Sequence, residues 1–151
     1  MPDHFGGTFK HRVDAKGRVS LPSRLRKVVD NSGVPGDEVH MIVAEDKSHI
    51  IAYLASEVNR RLKAMQADES IDMPAGAADP RRAAYFSGSS SSICDSAGRI
   101  ALHKAHLRKA GIDKECVFDG MGDYFVIYQP AAFVAMKRET IADYDLEEEL
   151  G

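Results

Sequence analysis

Two carboxylate–guanidinium pairs, each spaced by four residues, are the groups in this chain best placed to do chemistry. Asp14 and Arg18 frame the run Asp14-Ala15-Lys16-Gly17-Arg18, and Asp95 and Arg99 frame Asp95-Ser96-Ala97-Gly98-Arg99, 81 residues later. An Asp in this setting accepts hydrogen bonds from backbone N–H groups two residues on and closes a turn. A guanidinium beside a rigid turn can neutralise a phosphate, or donate two hydrogen bonds to the edge of a guanine. A turn needs the Asp and the Gly but has no obvious need for the Arg. The recurrence of Arg therefore points beyond structure.

The elements that must position these groups recur as well. Phe5-Gly6-Gly7 is matched by Phe86-Ser87-Gly88, Leu21 by Leu102, and Leu25-Arg26-Lys27 by Leu107-Arg108-Lys109. A hydrophobic run ending at Tyr53 is answered by one ending at Tyr128. The chain thus reads as a duplicated module. Gly17 falls where a short hairpin needs positive φ, and Val19 and Leu21 alternate with Ser20 on the returning strand. Pro22 suits the first turn of a helix predicted over Ser23 to Val29. Val58, Leu62 and Met65 sit at helical spacing after the first hydrophobic run; Phe133, Met136 and Ile141 follow the second more loosely. Each module reads strand, turn, strand, short basic helix, strand, strand, helix. The expected organisation is a first module over 5–65, a linker over 66–80 rich in Ala, Asp, Pro and Gly, a second module over 81–141, and an acidic tail over 142–151. The fold class is α+β, with an approximate internal twofold and one shared core.

The net charge of the 151 residues is −3, yet the charge is segregated. Lys10, Arg12, Lys16, Arg18, Arg24, Arg26 and Lys27 face only Asp3 and Asp14 in the first 27 residues. Arg99, Lys104, Arg108, Lys109 and Lys114 face only Asp113 between 99 and 114. Such segregation builds a basic face on an acidic protein. The acidic end, Asp143 to Glu149, reads as a solvated terminus, with competition for the basic face as a second possibility. Two cysteines, Cys94 and Cys116, lack metal-type spacing and imply a reducing compartment. Met1 to Thr8 lacks the apolar core of a signal peptide, and no run approaches the length of a membrane helix.

Other constellations carry less. Gly88 to Ser92 lacks the Lys-Ser/Thr ending of a phosphate loop and occupies a strand position in the repeat. His103 and His106 have no third ligand nearby and read as a solvated helix face. Cys94 has no supporting His/Asn arrangement. No catalytic residues, metal ligands or cofactor are expected, so an enzyme is the weakest functional class.

The stretch Gly7 to Arg26, and Asp95 to Ile112 ending Leu107-Arg108-Lys109-Ala110-Gly111-Ile112, resemble the two halves of the bacterial MraZ family. Each half also resembles, more distantly, the AbrB-type swapped-hairpin transcription factors, in which two subunits interlock strands into one barrel. The resemblance implies a tandem swapped-hairpin β-barrel with short flanking helices. It implies a sequence-specific DNA-binding transcriptional regulator, acting on its own promoter and the division and cell-wall gene cluster through short direct repeats. It further implies a homo-oligomeric ring and a cytoplasmic, nucleoid-associated protein. The DNA-binding residues it implies are Lys16, Arg18 and Arg99, with Arg12, Arg26 and Lys27 beside them. Ala97 stands where the first copy has Lys16, and Ser89 to Ser92 carry no base, so the first module is expected to bind DNA more strongly. An antitoxin-like or assembly module that binds a protein partner is the alternative.

Overall fold

The computed structural model describes residues 4–68 and 79–150. The first module supplies β1 (Thr8–Arg12), β2 (Arg18–Ser20), α1 (Ser23–Asp30), β3 (Val39–Val43), β4 (His49–Leu54) and α2 (Ala55–Asp68). The second supplies α3 (Pro80–Phe86), β5 (Ser90–Ser92), β6 (Arg99–Ala101), α4 (Lys104–Lys109), β7 (Glu115–Gly120), β8 (Phe125–Tyr128), α5 (Pro130–Arg138) and α6 (Leu146–Leu150). The anticipated order of elements is present in both copies.

Six strands form one antiparallel sheet in the order β1-β7-β8-β4-β3-β5, and β2 and β6 pair in a separate ribbon. Exchanging each strand for its repeat mate returns the same order read backwards, so the topology itself has twofold symmetry. The central β4·β8 pair sits on that axis, with Ile50 opposite Ile127 and Ile51 opposite Val126. The modules exchange strands: β1 pairs with β7, with Lys10 opposite Val117, and β5 pairs with β3, with Ser91 opposite His40.

Alternation along the strands divides the sheet between two faces. On one, Met41, Ile50, Ala52, Cys116, Phe118, Phe125 and Ile127 pack against Val19, Leu25, Ile100 and Leu102 of the ribbon and of the segments that follow it. This core draws on both halves. On the other face, Val117, Val126 and Tyr128 pack against Phe133, Tyr144 and Leu146. There Arg61 of α2 lies 4.7 Å over the Tyr53 ring and pairs with Glu57 and Asp123.

Four expectations are corrected. The sheet does not close into a barrel: β1 and β5 remain edges, and β1 reaches β2 only through the Val13–Val19 bridge. The reason is that β2 and β6 satisfy each other. The acidic end is anchored, because Tyr144 and Leu146 are buried and Glu147 Oε1 accepts from Lys10 Nζ at 2.9 Å. It lies on the sheet face away from the ribbon, so it does not cover the basic turns. The expected linker is partly helical: Gln66 to Asp68 finish α2, and Pro80 opens α3 behind Asp79, whose carboxylate accepts from Arg81 N. The rest of the linker lies outside the described residues. Finally, Phe5 and Phe86 are not equivalent. Phe5 is buried edge-on against Phe125, whereas Phe86 ends α3 and is exposed.

Candidate nucleic-acid interface

The two turns are built alike, bond for bond. Asp14 Oδ1 accepts from Lys16 N at 2.9 Å and Arg18 N at 2.8 Å, and Oδ2 accepts from Arg18 Nε at 2.9 Å. Asp95 Oδ1 accepts from Ala97 N and Arg99 N, each at 2.9 Å, and Oδ2 accepts from Arg99 Nε at 3.0 Å. The Arg18 backbone N–H, followed by its side chain and the Lys16 N–H, holds the Asp14 carboxyl below the usual range. Arg99 and Ala97 do the same for Asp95. The arginine thus has a structural use after all: its Nε closes the turn. Among the described residues, no hydrogen bond engages the terminal nitrogens of either guanidinium.

Glycine is required at each turn. Gly17 has φ +77°, and a Cβ there would lie 2.8 Å from the Leu102 carbonyl oxygen. Gly98 has φ +81°, and a Cβ there would meet Arg26 Nη1 at 2.5 Å. These close approaches arise because each turn leans on the other module. Leu21 N donates to Gly98 O at 2.9 Å and Leu102 N donates to Gly17 O at 2.8 Å.

The ribbon then brings the repeated arginines together. Arg18 lies opposite Ala101, Val19 opposite Ile100, and Ser20 opposite Arg99. Val19 and Ile100 point into the core, so Arg18, Ser20, Arg99 and Ala101 share the outer face. Diagonal neighbours in such a pair lie about 7–8 Å apart. Both arginine side chains are 36% exposed. One chain therefore presents two preoriented guanidinium groups, related by twofold symmetry, on one small platform.

The remaining predicted residues surround this platform unevenly. Lys16 is exposed at the tip of the first turn, and Arg26 reaches across from α1 to lie against Gly98. Arg12 is exposed at the end of β1, beside the first turn. Lys27 is two residues from both Leu25 and Val29, the buried face of α1, and points away from the core without a described contact to either turn. Lys104 and Lys114 were part of the basic stretch in sequence, but no position followed from it. They border an open groove at the first turn together with Arg12. The β1·β7 pairing, continued by Val13 N donating to Lys114 O at 2.8 Å, brings Lys114 there, and Leu102 N donating to Gly17 O at 2.8 Å brings the start of α4 with Lys104.

The histidines and cysteines are accounted for otherwise. His106 is buried rather than solvated: its Nε2–H donates to Gly88 O at 2.8 Å, and Nδ1 lies 3.3 Å from Ser90 Oγ. His103 Nδ1 caps α4 by accepting from Ala105 N. No cluster of metal-binding side chains occurs among the described residues. Burial raises the Cys94 thiol above its ordinary value and pushes Cys116 up to about 12, so neither is an activated nucleophile.

Comparison with known proteins is consistent with this geometry. The model of the family described as "MraZ protein, putative antitoxin-like" matches residues 85–149. A transcriptional regulator MraZ of Corynebacterium diphtheriae is 30% identical over 144 residues, covering 95% of this chain and 94% of that protein. The chain belongs to the MraZ family. MraZ regulators of Ruegeria sp. and Anaeromyxobacter sp. are each 32% identical, covering 88% and 91% of the chain and 81% and 91% of their own lengths. The MraZ relatives thus align with both modules, including the first, which the family model does not reach. Among the described residues, no helix is long and apolar enough to cross a membrane.

Proposed function

We propose that this MraZ-family chain is a transcriptional regulator that binds double-stranded DNA in a sequence-specific way. The observation that carries the reading is the joint presentation of Arg18 and Arg99 on the outer face of the β2·β6 ribbon. Each Nε is held by an aspartate, which fixes the guanidinium plane while its outer edge stays available. A guanidinium so oriented can reach guanine O6 and N7 in the major groove, which is wide enough for a two-stranded ribbon. Lys16, Arg12 and Arg26 add phosphate contacts beside it, and Lys27 a further one along α1. The exchange of strands between halves supports a tandem swapped-hairpin arrangement, in which one chain supplies both partners and the bounds 5–65 and 81–141 mark the two copies.

The family names carried by the relatives support a regulatory role. The proposed target is the chain's own promoter and the division and cell-wall cluster, read as short direct repeats by a ring of subunits on the nucleoid. Repetition of one platform around a ring raises affinity through effective concentration alone. The deciding experiment is fluorescence anisotropy on a duplex from the chain's own upstream region, against a scrambled duplex. Wild type should prefer the upstream duplex. Arg18→Ala and Arg99→Ala should each weaken that preference by about 1–3 kcal/mol per engaged platform, with little change in melting temperature. Unaltered preference in both variants would refute the arginine reading. No preference in wild type would favour a protein partner instead.

A further inference from the structure

The two ends of the ribbon differ in what lies beside them. At the first turn an open groove of about 650 Å³ runs between the end of β1, the start of α4 and the α4–β7 connection. Arg12, Lys104 and Lys114 line it, one from each of these elements, together with Asp14 and Asp113. Asp14 is already committed to its own turn and to Arg18. The groove is therefore basic, and it is continuous with the reading platform, since Asp14, Ala15 and Gly17 form its wall.

The twofold-related hollow has the opposite character. Ile93 stands in the repeat position of Arg12, and the α1–β3 connection is longer than its mate. The hollow there is about 360 Å³, bordered by Val34, Ile93, Asp30 and Asp37, and its lining carries no lysine or arginine, the nearest cation being Arg26, paired with Asp30 at 3.8 Å. Val34 and Ile93 are exposed, and Asp37 is buried while it accepts from Ser56. The molecule thus pairs a nearly symmetric platform with an asymmetric surround.

We infer that the groove of Arg12, Lys104 and Lys114 holds the sugar–phosphate backbone of the DNA that the platform reads, on one side only. The inference rests on the DNA-binding reading above. Two arginines related by a twofold cannot tell a short element from its inverse. A phosphate track of three cations at one end gives the chain a direction on the duplex, because the opposite end offers carboxylates, apolar side chains and a single cation, Arg26, whose Nε lies 3.8 Å from Asp30 Oδ2. Direction at each subunit is what would make tandem elements of one orientation fit a row of identical chains. The groove also redistributes the charge imbalance between the modules: two of its three cations belong to the second module.

The test uses the full chain and the upstream duplex. Lys104 and Lys114 are exposed, so K104Q/K114Q should fold, which its melting curve checks. Each phosphate contact contributes about 0.9 to the slope of log affinity against log salt. The double variant should lower that slope by about 1.8, so wild type loses roughly tenfold more affinity than the variant between 50 and 200 mM salt. Neutral methylphosphonates placed one at a time along the duplex should weaken wild type on one flank of each element, and that sensitivity should vanish in the variant. Equal sensitivity on both flanks, or an unchanged slope, overturns the groove and leaves the arginine platform standing. Loss of all preference for the upstream duplex in wild type removes the platform and the groove together.

Discussion

At the scale of single residues, Asp14 and Asp95 do more than punctuate the chain. Each carboxylate takes two backbone N–H groups and one guanidinium Nε, so its ionised form is favoured in the folded state. A folded-state pKa below the unfolded value stabilises the protein above the unfolded pKa, and that stability is lost as pH falls through the folded pKa. The turns should therefore still be closed at about pH 4, the ordinary range of an Asp, and open only at lower pH, as the carboxyls are protonated in the folded state. Carboxyl carbon shifts followed by NMR should titrate below the ordinary Asp value at both positions. Titration of either group at or above that value would show that its bonds are not held in solution. Asp14→Asn keeps the side-chain shape and one oxygen for the two backbone N–H groups but puts an amide donor where Oδ2 accepted from Arg18 Nε, so Arg18 loses both the charge and the bond that orient it. Its DNA preference should fall although Arg18 is still present, and anisotropy reads this directly.

At the scale of elements, glycine positions separate two costs. Gly111 has φ +67° with no atom within 4 Å of a Cβ built there, whereas Gly17 has φ +77° and the Leu102 carbonyl in the way. Gly111→Ala should cost about 1–2 kcal/mol, the left-handed penalty alone. Gly17→Ala should cost a further 1–3 kcal/mol or so, the typical result of forcing extra atoms into a packed contact. Urea unfolding of the two variants gives the comparison, and equal losses would mean that the turn moves freely off the second module. The same elements show how far local sequence reaches. The turns, α1 and the strand around Tyr53 were legible because Asp, Gly, Pro and alternation act over a few residues. The helix α3 was hidden within an Ala- and Pro-rich stretch, although Asp79-Pro80 is a start signal. The helix α6 was hidden by its charge: the five acids between Asp143 and Glu149 obscure Tyr144 and Leu146, the two residues that dock the segment. The paired arginines of the site were legible as a repeat, but their meeting on one ribbon was not, since no local pattern tells β2 that β6 is its neighbour. The basic groove was illegible for the same reason.

At the scale of the whole molecule, the halves depend on each other. Of the pairings in the main sheet, only β3·β4 and β7·β8 lie within one module; β1·β7, β3·β5 and β4·β8 cross between them. Val19 and Ile100 complete each other's core across the ribbon. Residues 1–68 or 79–151 produced alone should not fold as monomers. Each should either stay unfolded or form a dimer that re-creates the exchange, and sedimentation with far-ultraviolet circular dichroism distinguishes these. A well-folded monomeric half would contradict the shared core. Strand exchange also sets a schedule for the growing polypeptide. Thr8 has its register partner at Asp119, so β1 leaves the ribosome long before β7 exists. Contacts of such sequence separation form late and slowly. Throughout that interval the first strand travels as an unpaired edge, with Phe9 and, just beyond its end, Val13 uncovered and β7 not yet there to join, which is the condition under which nascent chains most need shielding from one another.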